Sequence, residues 1–366
     1  MHLRRLRCRC EKCGTEYYPL DEKLGLSRSK ASTHLAKAIT WLSVFMPFNE
    51  VKKILRGLLG VSVSTTFIEQ VTVRVGDTLW EKAEKESRRP YGIEKREKDV
   101  DFLYICPDGA LVPLVGDGKV EYKENKLGIV FNNKDIEQKI DKKGKISTRI
   151  TGKRLVSSLA EGVEPFKRML FAAAVKKGFH AAKTVIFLSD GAVWLSKCKE
   201  ELFPKAVRIL DWYHALEHLW GAARSLFGEQ NEVQYRAWAE PLKELLWNGK
   251  VDEVIRFLEN EIATRTKNQQ PLIELRGYYH SNRASMKYDE YRGKGWYIGS
   301  GPVESANNYI VNQRLKRSGM KWSKTCANAL LWARCKYYEN DWDDFWKNIS
   351  LSEYLNRIPC YGEQAA

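Results

Sequence analysis

The pattern of apolar positions changes its period near residue 100. Before that point it is helical, and the segment "PFNEVKKILRGLLG" carries a stripe at positions 51, 54, 55, 58 and 59. Gly60 ends this helix, and Ser64 is a candidate N-cap for the next one. Helix, short glycine-containing turn and helix is the outline of a helix-turn-helix. We therefore expect residues 31–85 to form a helical DNA-binding region.

After residue 100, short apolar runs with strand character alternate with helical ones. The strand candidates are "DFLYIC", "ALVPLV", "KVEYKENKLGIVF", "KTVIFLSDG" and the start of "AVRILDWYH". The helix candidates are "VEPFKRMLFAAAVKKGF" and "AVWLSKCKEELF". This alternation predicts an α/β domain. The polar stretch within 132–150 is expected to be a hairpin tip or a loop without regular structure.

The same pattern suggests where the parts of the chain begin and end. The charged stretch at 86–100, with Pro90 and Gly92, predicts a linker. We expect a catalytic core from 101–214 and 291–346, an all-helical insertion at 215–290 and a tail at 347–366. Residues 1–30 are expected to be part of a zinc ribbon followed by a loop.

The charge balance points to a polyanionic partner. The 366 residues contain 61 Lys and Arg against 46 Asp and Glu, a formal net charge of +15. Nucleic acid is the first candidate partner and an acidic membrane surface the second. Runs such as "AITWLSVFMPF" are too short to cross a bilayer, and the N-terminus "MHLRRLRCRC" has no apolar segment behind its charges. We expect a cytoplasmic, nucleoid-associated protein.

Three of the eight cysteines lie together near the N-terminus. Cys10 and Cys13 form a CxxC followed by glycine, and Cys8 precedes them. This spacing is typical of a zinc knuckle, but a structural site needs four ligands and no second CxxC follows. Two interpretations stay open, half of a zinc ribbon and a metal-free group of thiols.

Three carboxylates occupy positions at which an α/β sheet can bring them together. Asp108 and Asp190 follow apolar strand candidates, and Glu304 lies in the first turn of a helix that Pro302 opens. Strand ends and helix starts meet at one sheet edge, where Mg²⁺ or Mn²⁺ could bind. Each residue also has a plainer interpretation, since Asp-Gly is common in turns and a first-turn Glu complements the helix dipole.

The segment "LDWYHALEHLW" adds polar groups at helical spacing. Asp211 and His214 are three residues apart, and His218 follows four residues later, so the histidines share a helical face. This is not an HExxH zinc motif, because Ala215 follows His214. We expect Asp211 and His214 to support the edge that carries the acids, and a structural histidine pair is the alternative.

Three blocks in order, "DGAVWL", "ILDWYHALEHLW" and "IGSGPVESANNYIVNQRLKRSGMKWS", resemble the DDE transposases of bacterial insertion sequences, specifically the ISKra-type group. The resemblance extends over about residues 8–345. It implies a ribonuclease H-like core with a helical insertion between the second and third acids. It also implies that Asp108, Asp190 and Glu304 hold Mg²⁺ or Mn²⁺, and that Asp211 and His214 match a D-x-x-H element shared with Mutator-like and hAT transposases.

The implied activity is metal-dependent cleavage and strand transfer on double-stranded DNA, namely terminal inverted repeats and target DNA, by a homo-oligomer. The basic block after Glu304 is expected to hold phosphates. Its candidates are Arg314, Lys316, Arg317 and Lys321, with Trp322 as a residue that could stack on a base or belong to the core.

Two features depart from that family. The chain before the CxxCG block is shorter than in such transposases, and Asp117 competes with Asp108 as the first acid. Three alternatives therefore stay open: a DNA-binding protein without activity, a nuclease without strand transfer, and a zinc-dependent transcription regulator acting through residues 1–90.

Overall fold

The computed structural model describes residues 6–20, 31–90, 97–116, 118–140, 146–299 and 301–348. The predicted α/β class is confirmed, because a five-stranded mixed sheet is surrounded by helices. The strands of this sheet are β3 (Val100–Gly116), β4 (Lys119–Asn132), β7 (Arg154–Ser158), β8 (Ala182–Ser189) and β9 (Val207–Leu210). Two small hairpins complete the strands: β1 (Cys8–Arg9) with β2 (Glu16–Tyr17), and β5 (Ile136–Ile140) with β6 (Ile146–Ile150).

The sheet places its first strand at the centre. The order is β7-β4-β3-β8-β9, with β3, β4 and β7 joined antiparallel, and with β8 and β9 added parallel to β3. The connections from β7 to β8 and from β8 to β9 each contain a helix, α4 (Glu164–Lys176) and α5 (Val193–Leu202). Parallel neighbours require such crossovers, so the alternation of strands and helices in the sequence follows from the topology.

Helices provide the rest of the described chain. Those before the sheet are α1 (Thr33–Phe45), α2 (Phe48–Leu59) and α3 (Thr65–Ser87). Those between β9 and residue 300 are α6 (Trp212–Phe227), α7 (Glu232–Trp247), α8 (Val251–Thr264), α9 (Gln270–Asn282) and α10 (Tyr288–Gly293). After residue 300 come α11 (Gly301–Asn307), a π-helical turn (Asn308–Asn312), α12 (Gln313–Leu315), α13 (Lys324–Tyr338) and α14 (Trp342–Asn348). Among the residues described, no helix is both long enough and apolar enough to cross a bilayer.

Two segments that the sequence predicts as separate strands form one strand in the structure. "DFLYIC" and "ALVPLV" belong to the single strand β3, which runs through Pro107 and Asp108. The antiparallel partner β4 accompanies β3 over this whole length, whereas the parallel pairing with β8 ends at Ile105. Pro107 is tolerated because no β8 ladder bond is needed beyond that point. The hairpin therefore extends past the sheet as a two-stranded arm.

The helices before the sheet share a core with it. Successive residues of β3 face opposite sides: Tyr104 packs with the helices between β9 and residue 300, and Leu103 packs with α1, α2 and α3. A Cβ atom added to Gly76 of α3 would lie 2.3 Å from the Cα atom of Ala329 in α13. The two helix backbones thus touch, and the N-terminal helical region is built into the body that carries the sheet.

Candidate functional site at the carboxyl edge of the sheet

Three aspartates lie where the pairing of three neighbouring strands ends: Asp108 within β3, Asp190 directly after β8 and Asp211 directly after β9. The parallel pairing of β3 and β8 ends at Ile105 with Phe187, an offset of 82 residues, and continuing this offset relates Asp108 to Asp190 (190 − 108 = 82). The pairing of β8 and β9 has an offset of 21, as in Ser189 with Leu210, and it relates Asp190 to Asp211 (211 − 190 = 21). We call these three residues the acid edge.

Asp108 is a partly buried carboxylate with two hydrogen-bond donors. Its carboxylate accepts from the Gly109 N–H at 2.7 Å and from the Asn307 amide at 2.5 Å. Burial, reinforced by the nearby negative charge of Asp190, raises the pKa of Asp108 to about 6, although these bonds and His214 act in the opposite direction. Such a perturbation is typical of functional carboxylates, since a cation placed between two acids would relieve it.

Asp190 is held by the turn that follows β8. Its Oδ1 accepts from the Ala192 N–H at 2.8 Å. A side chain at Gly191 would meet the Tyr278 ring at 2.6 Å, so glycine is what allows helix α9 to close over this turn. The phenol of Tyr278 is buried, and the nearest charges to it include Asp190 and Arg208. Burial lowers the pKa of the Arg208 guanidinium, while Asp190 acts to raise it.

Asp211 has a structural role at the start of α6. It is fully buried, and its Oδ1 accepts from the backbone N–H groups of Tyr213 at 2.6 Å and His214 at 3.2 Å. This is an N-cap, which pairs two of the helix's otherwise unbonded donors. The expected support of the edge by Asp211 and His214 thus includes a backbone contact. The His214 imidazole lies 3.4 Å from Glu217.

His218 packs against an aromatic ring of α9. Its ring stacks on Tyr278 with centroids 3.8 Å apart, and burial lowers its pKa. The aromatic contact fixes the imidazole beside the turn that holds Asp190.

The helix that carries Glu304 contacts the acid edge through Asn307. α11 begins directly after the loop at residues 296–299, whose Ile298 carbonyl accepts from the Trp212 N–H at 2.8 Å. Asn307, one turn after Glu304 on the same helix, donates to Asp108. Glu304 itself is exposed. Its helix therefore ends against the acid edge while its own carboxylate faces solvent.

Asn307 is a site residue that the sequence analysis missed. Its Oδ1 is buried and has no hydrogen-bond partner among the described residues, which is costly for an amide. Asn307 lies three residues after Glu304, so both share one helical face, and this spacing could have identified Asn307 from the sequence. Tyr278 and Arg208 were missed as well, and nothing near them in the sequence relates them to Asp190.

The described residues contain no group of three or more His, Cys, Asp or Glu side chains arranged as a metal site. The donor set nevertheless fits a divalent cation: two carboxylates at one level, one of them with a raised pKa, and the unpartnered oxygen of Asn307. Asp117 lies outside the described residues, and its neighbours Gly116 and Gly118 are at the far end of the arm, eight and ten residues beyond Asp108.

The predicted phosphate-binding block divides into two groups. Lys316, Arg317 and Lys321 are exposed, and Arg317 also donates to the Phe45 carbonyl at 3.0 Å. Arg314 and Trp322 are buried, so Arg314 does not lie on the surface with the other cations of the block, and Trp322 matches the alternative that it belongs to the core. Trp322 donates its indole N–H to the Leu315 carbonyl at 3.0 Å, and the Arg314 guanidinium lies over its ring. Both side chains are held in the core by these contacts.

The N-terminal cysteines form a tight knuckle. The Gly14 N–H donates to the Cys10 carbonyl at 2.9 Å. Gly14 has a φ of 70°, a left-handed conformation that favours glycine. Hydrogen bonding, chiefly from Thr15, lowers the pKa of Cys13 to about 7. With Cys8 this hairpin supplies at most three thiolates, so a zinc ion would need a fourth ligand from elsewhere.

Comparison with known proteins adds no family assignment: no family model matches this chain, and no curated protein matches it either.

Proposed function

We propose that this protein is a metal-dependent DNA-cleaving and strand-transferring enzyme of the DDE transposase type, with a ribonuclease H-like core. The observation that carries the proposal is the acid edge, where Asp108 and Asp190 lie at one level and burial with mutual repulsion raises the pKa of Asp108. A basic chain of net charge +15 that concentrates buried acids at one edge is suited to binding cations and phosphates together.

The sheet order supports the same proposal. An antiparallel meander of three strands, continued by two parallel strands and with the first strand central, is compatible with the ribonuclease H-like core that the resemblance implies. Among the described residues between β9 and α11 the regular elements are helices, and this is where the family resemblance expects an insertion.

In this proposal each residue has a separate task. Asp108 and Asp190 would hold Mg²⁺ or Mn²⁺, and Glu304 would complete the site from α11. The bound ion would supply Lewis-acid stabilisation of the phosphoryl oxygens. Asn307 orients the Asp108 carboxylate, and Asp211 fixes the start of α6 beside it. Lys316 and Lys321 would contact backbone phosphates without reading sequence.

The packing of the N-terminal helices bears on the alternatives. A transcription regulator acting through residues 1–90 alone needs a region that folds by itself, whereas α3 packs backbone to backbone on α13. A DNA-binding protein without activity and a nuclease without strand transfer share the proposed DNA contacts, so they are outcomes of the test below.

The test measures cleavage and joining by the full chain. Duplex fragments from the DNA flanking its own coding sequence are incubated with Mn²⁺ or Mg²⁺, and nicked and joined products are resolved. We expect wild type to cut and join, and Asp190→Asn and Glu304→Gln to lose roughly 10³-fold in rate while still binding DNA. Glu259→Gln, an exposed acid on α8, is the matched control and should react as wild type does.

Each other result has a defined meaning. Cleavage without joined products would support the nuclease, and binding without cleavage would support the inactive DNA-binding protein. Variants as active as wild type would contradict the assignment of the acids.

A further inference from the structure

A cavity of about 400 Å³ opens where three helices begin. Its wall contains the first residues of α2 (Phe48, Asn49), of α3 (Thr65, Thr66) and the N-cap of α13 (Ser323). These helices are 12, 23 and 15 residues long. Helix N-termini carry unbonded N–H groups and a partial positive charge, so three of them directed at one space favour an anion there.

The side-chain caps pair only some of the N–H groups at these helix starts. Ser64 accepts only from the Phe67 N–H and Ser323 only from the Cys326 N–H, at 3.0 and 3.2 Å. The N-cap position of α2 is Pro47, which provides no side-chain cap. Lys321 is exposed and lines the cavity, adding a mobile cation at its wall.

A buried cation behind the wall is the second, independent observation. Arg314 has no exposed surface, and its guanidinium lies 4.7 Å from the ring centroid of Trp322 and 5.6 Å from that of Phe48. Both rings line the cavity. Nε donates to the Ser43 carbonyl at 2.9 Å, whereas Nη1 and Nη2 are buried without a partner among the described residues. Burying a cation with unused donors is costly unless an anion compensates it.

Arg334 is a second buried arginine, and each of its three side-chain nitrogens has a hydrogen-bond acceptor. Its Nε donates to the Ile310 carbonyl at 2.8 Å, and its two Nη atoms donate to the carbonyls of Val44 and Tyr309. The difference between the arginines is therefore in their partners rather than in their burial.

One carboxylate opposes the positive charge. Glu69, in the second turn of α3, lines the cavity and is hydrogen-bonded with the Cys326 thiol. An anion in the cavity would be repelled by it, so we expect modest affinity, as for one phosphate contact among several.

We propose that this cavity binds a phosphoryl group, which in the working protein is a backbone phosphate of DNA. The identity of the DNA as the source rests on the proposed function, whereas the phosphoryl chemistry follows from the helix starts, Lys321 and Arg314. The cavity is built of residues outside the acid edge, so the two sites can succeed or fail separately.

The experiment uses the full chain and three variants. Glu69→Gln removes the opposing charge, Lys321→Gln removes the exposed cation, and Glu259→Gln is the matched control. Glu259 is an exposed acid on α8 that lies outside the lining of the cavity. Affinity for a fluorescent duplex is measured by anisotropy over a range of salt concentrations. Thermal midpoints are also compared in inorganic phosphate and in chloride of equal ionic strength.

We expect Glu69→Gln to tighten duplex binding and Lys321→Gln to weaken it, each by about threefold to tenfold, with a salt slope reduced by about one for Lys321→Gln. Phosphate should raise the thermal midpoint above that in chloride, more so in Glu69→Gln. Glu259→Gln should behave as wild type does in both measurements.

Two results overturn the proposal in different ways. If the phosphate effect follows the variants but duplex affinity does not, the cavity binds free phosphate and DNA is excluded as its source. If Glu69→Gln changes neither measurement, or Glu259→Gln changes them as much, the cavity is not a phosphoryl site. Loss of DNA cleavage in Asp190→Asn would be unaffected by either result, so failure here is distinguishable from failure of the proposed enzyme.

Discussion

The acid edge and the cavity at the helix starts are opposite in charge and alike in construction. Each contains one charged residue whose bonds hold the fold and one whose charge is left partly uncompensated. At the edge Asp211 caps α6, while Asp108 has a raised pKa. Behind the cavity Arg334 donates through all three side-chain nitrogens, while two nitrogens of Arg314 have no partner among the described residues. Burial lowers the pKa of both guanidinium groups to about 10, so the hydrogen-bond partners are what distinguish them. The comparison teaches that partners, rather than burial, separate structural charges from charges that a ligand could complete.

The two arginines provide the largest test of this distinction. Arg334→Met leaves three carbonyls without their donor, and we expect it to lower the free energy of unfolding by about 3–5 kcal/mol. Arg314→Met replaces a poorly bonded cation by an apolar side chain of similar length, so its cost should be within about 1 kcal/mol of zero. Urea unfolding followed by tryptophan fluorescence measures both. Equal losses in the two variants would show that burial alone determines the effect.

The second test concerns the pH dependence of stability at the acid edge. The pKa of Asp108 rises from 3.8 to about 6 in the folded protein. Between these values the folded state holds more protons than the unfolded state, so the metal-free protein loses stability as pH rises through this window. The loss should reach roughly 2–3 kcal/mol above pH 6.

Asp108→Asn removes the titrating group and should remove this slope. We therefore expect the variant to match wild type near pH 4 and to exceed it at pH 7 in urea unfolding. Millimolar Mg²⁺ should recover part of the loss in wild type and none in the variant. Parallel stability curves for the two proteins would contradict the assigned pKa shift.

The contrast also shows what the sequence can and cannot supply. Part of the acid edge was predictable because a strand is a local pattern, and apolar runs marked β8 and the first part of β3. Asp190 directly follows β8 as expected, whereas Asp108 lies within β3, three residues beyond the end of its pairing with β8. The single long β3 was missed, because the pattern does not tell whether a strand ends where one of its two partners ends. The cavity was not predictable, since its three helix starts are brought together only by tertiary packing.

The same reasoning explains why the sequence did not show that Arg314 is buried. A run of basic residues suggests a surface, and the neighbouring Lys316 and Arg317 are indeed exposed. Which positions of the run point inward depends on how α12 and the following segment cross the N-terminal helices. No periodic pattern records that crossing, because the helix there is short and preceded by a π-helical turn.

A third test separates the capping role of Asp211 from its charge. Asp211→Ala leaves the Tyr213 and His214 N–H groups without an acceptor, and we expect a loss of about 1–2 kcal/mol in the free energy of unfolding. Asp211→Asn keeps an accepting oxygen and should retain most of that stability. Thermal and urea unfolding of the pair measure the difference. Equal destabilisation by both variants would mean that the carboxylate charge, and not the cap, stabilises the start of α6.

The smallest expected effect on stability belongs to Glu304. Its side chain is exposed in the first turn of α11, so Glu304→Gln removes a favourable interaction with the helix N-terminus that is worth about 0.5 kcal/mol on an exposed surface. Under the proposed function the same substitution abolishes cleavage. If the variant keeps wild-type stability and loses activity, Glu304 belongs with Asp108 and Arg314, the residues whose charge a bound ligand would compensate. A large loss of stability would instead place it with Asp211 and Arg334, because a residue that the fold depends on cannot be assigned to chemistry from an activity measurement alone.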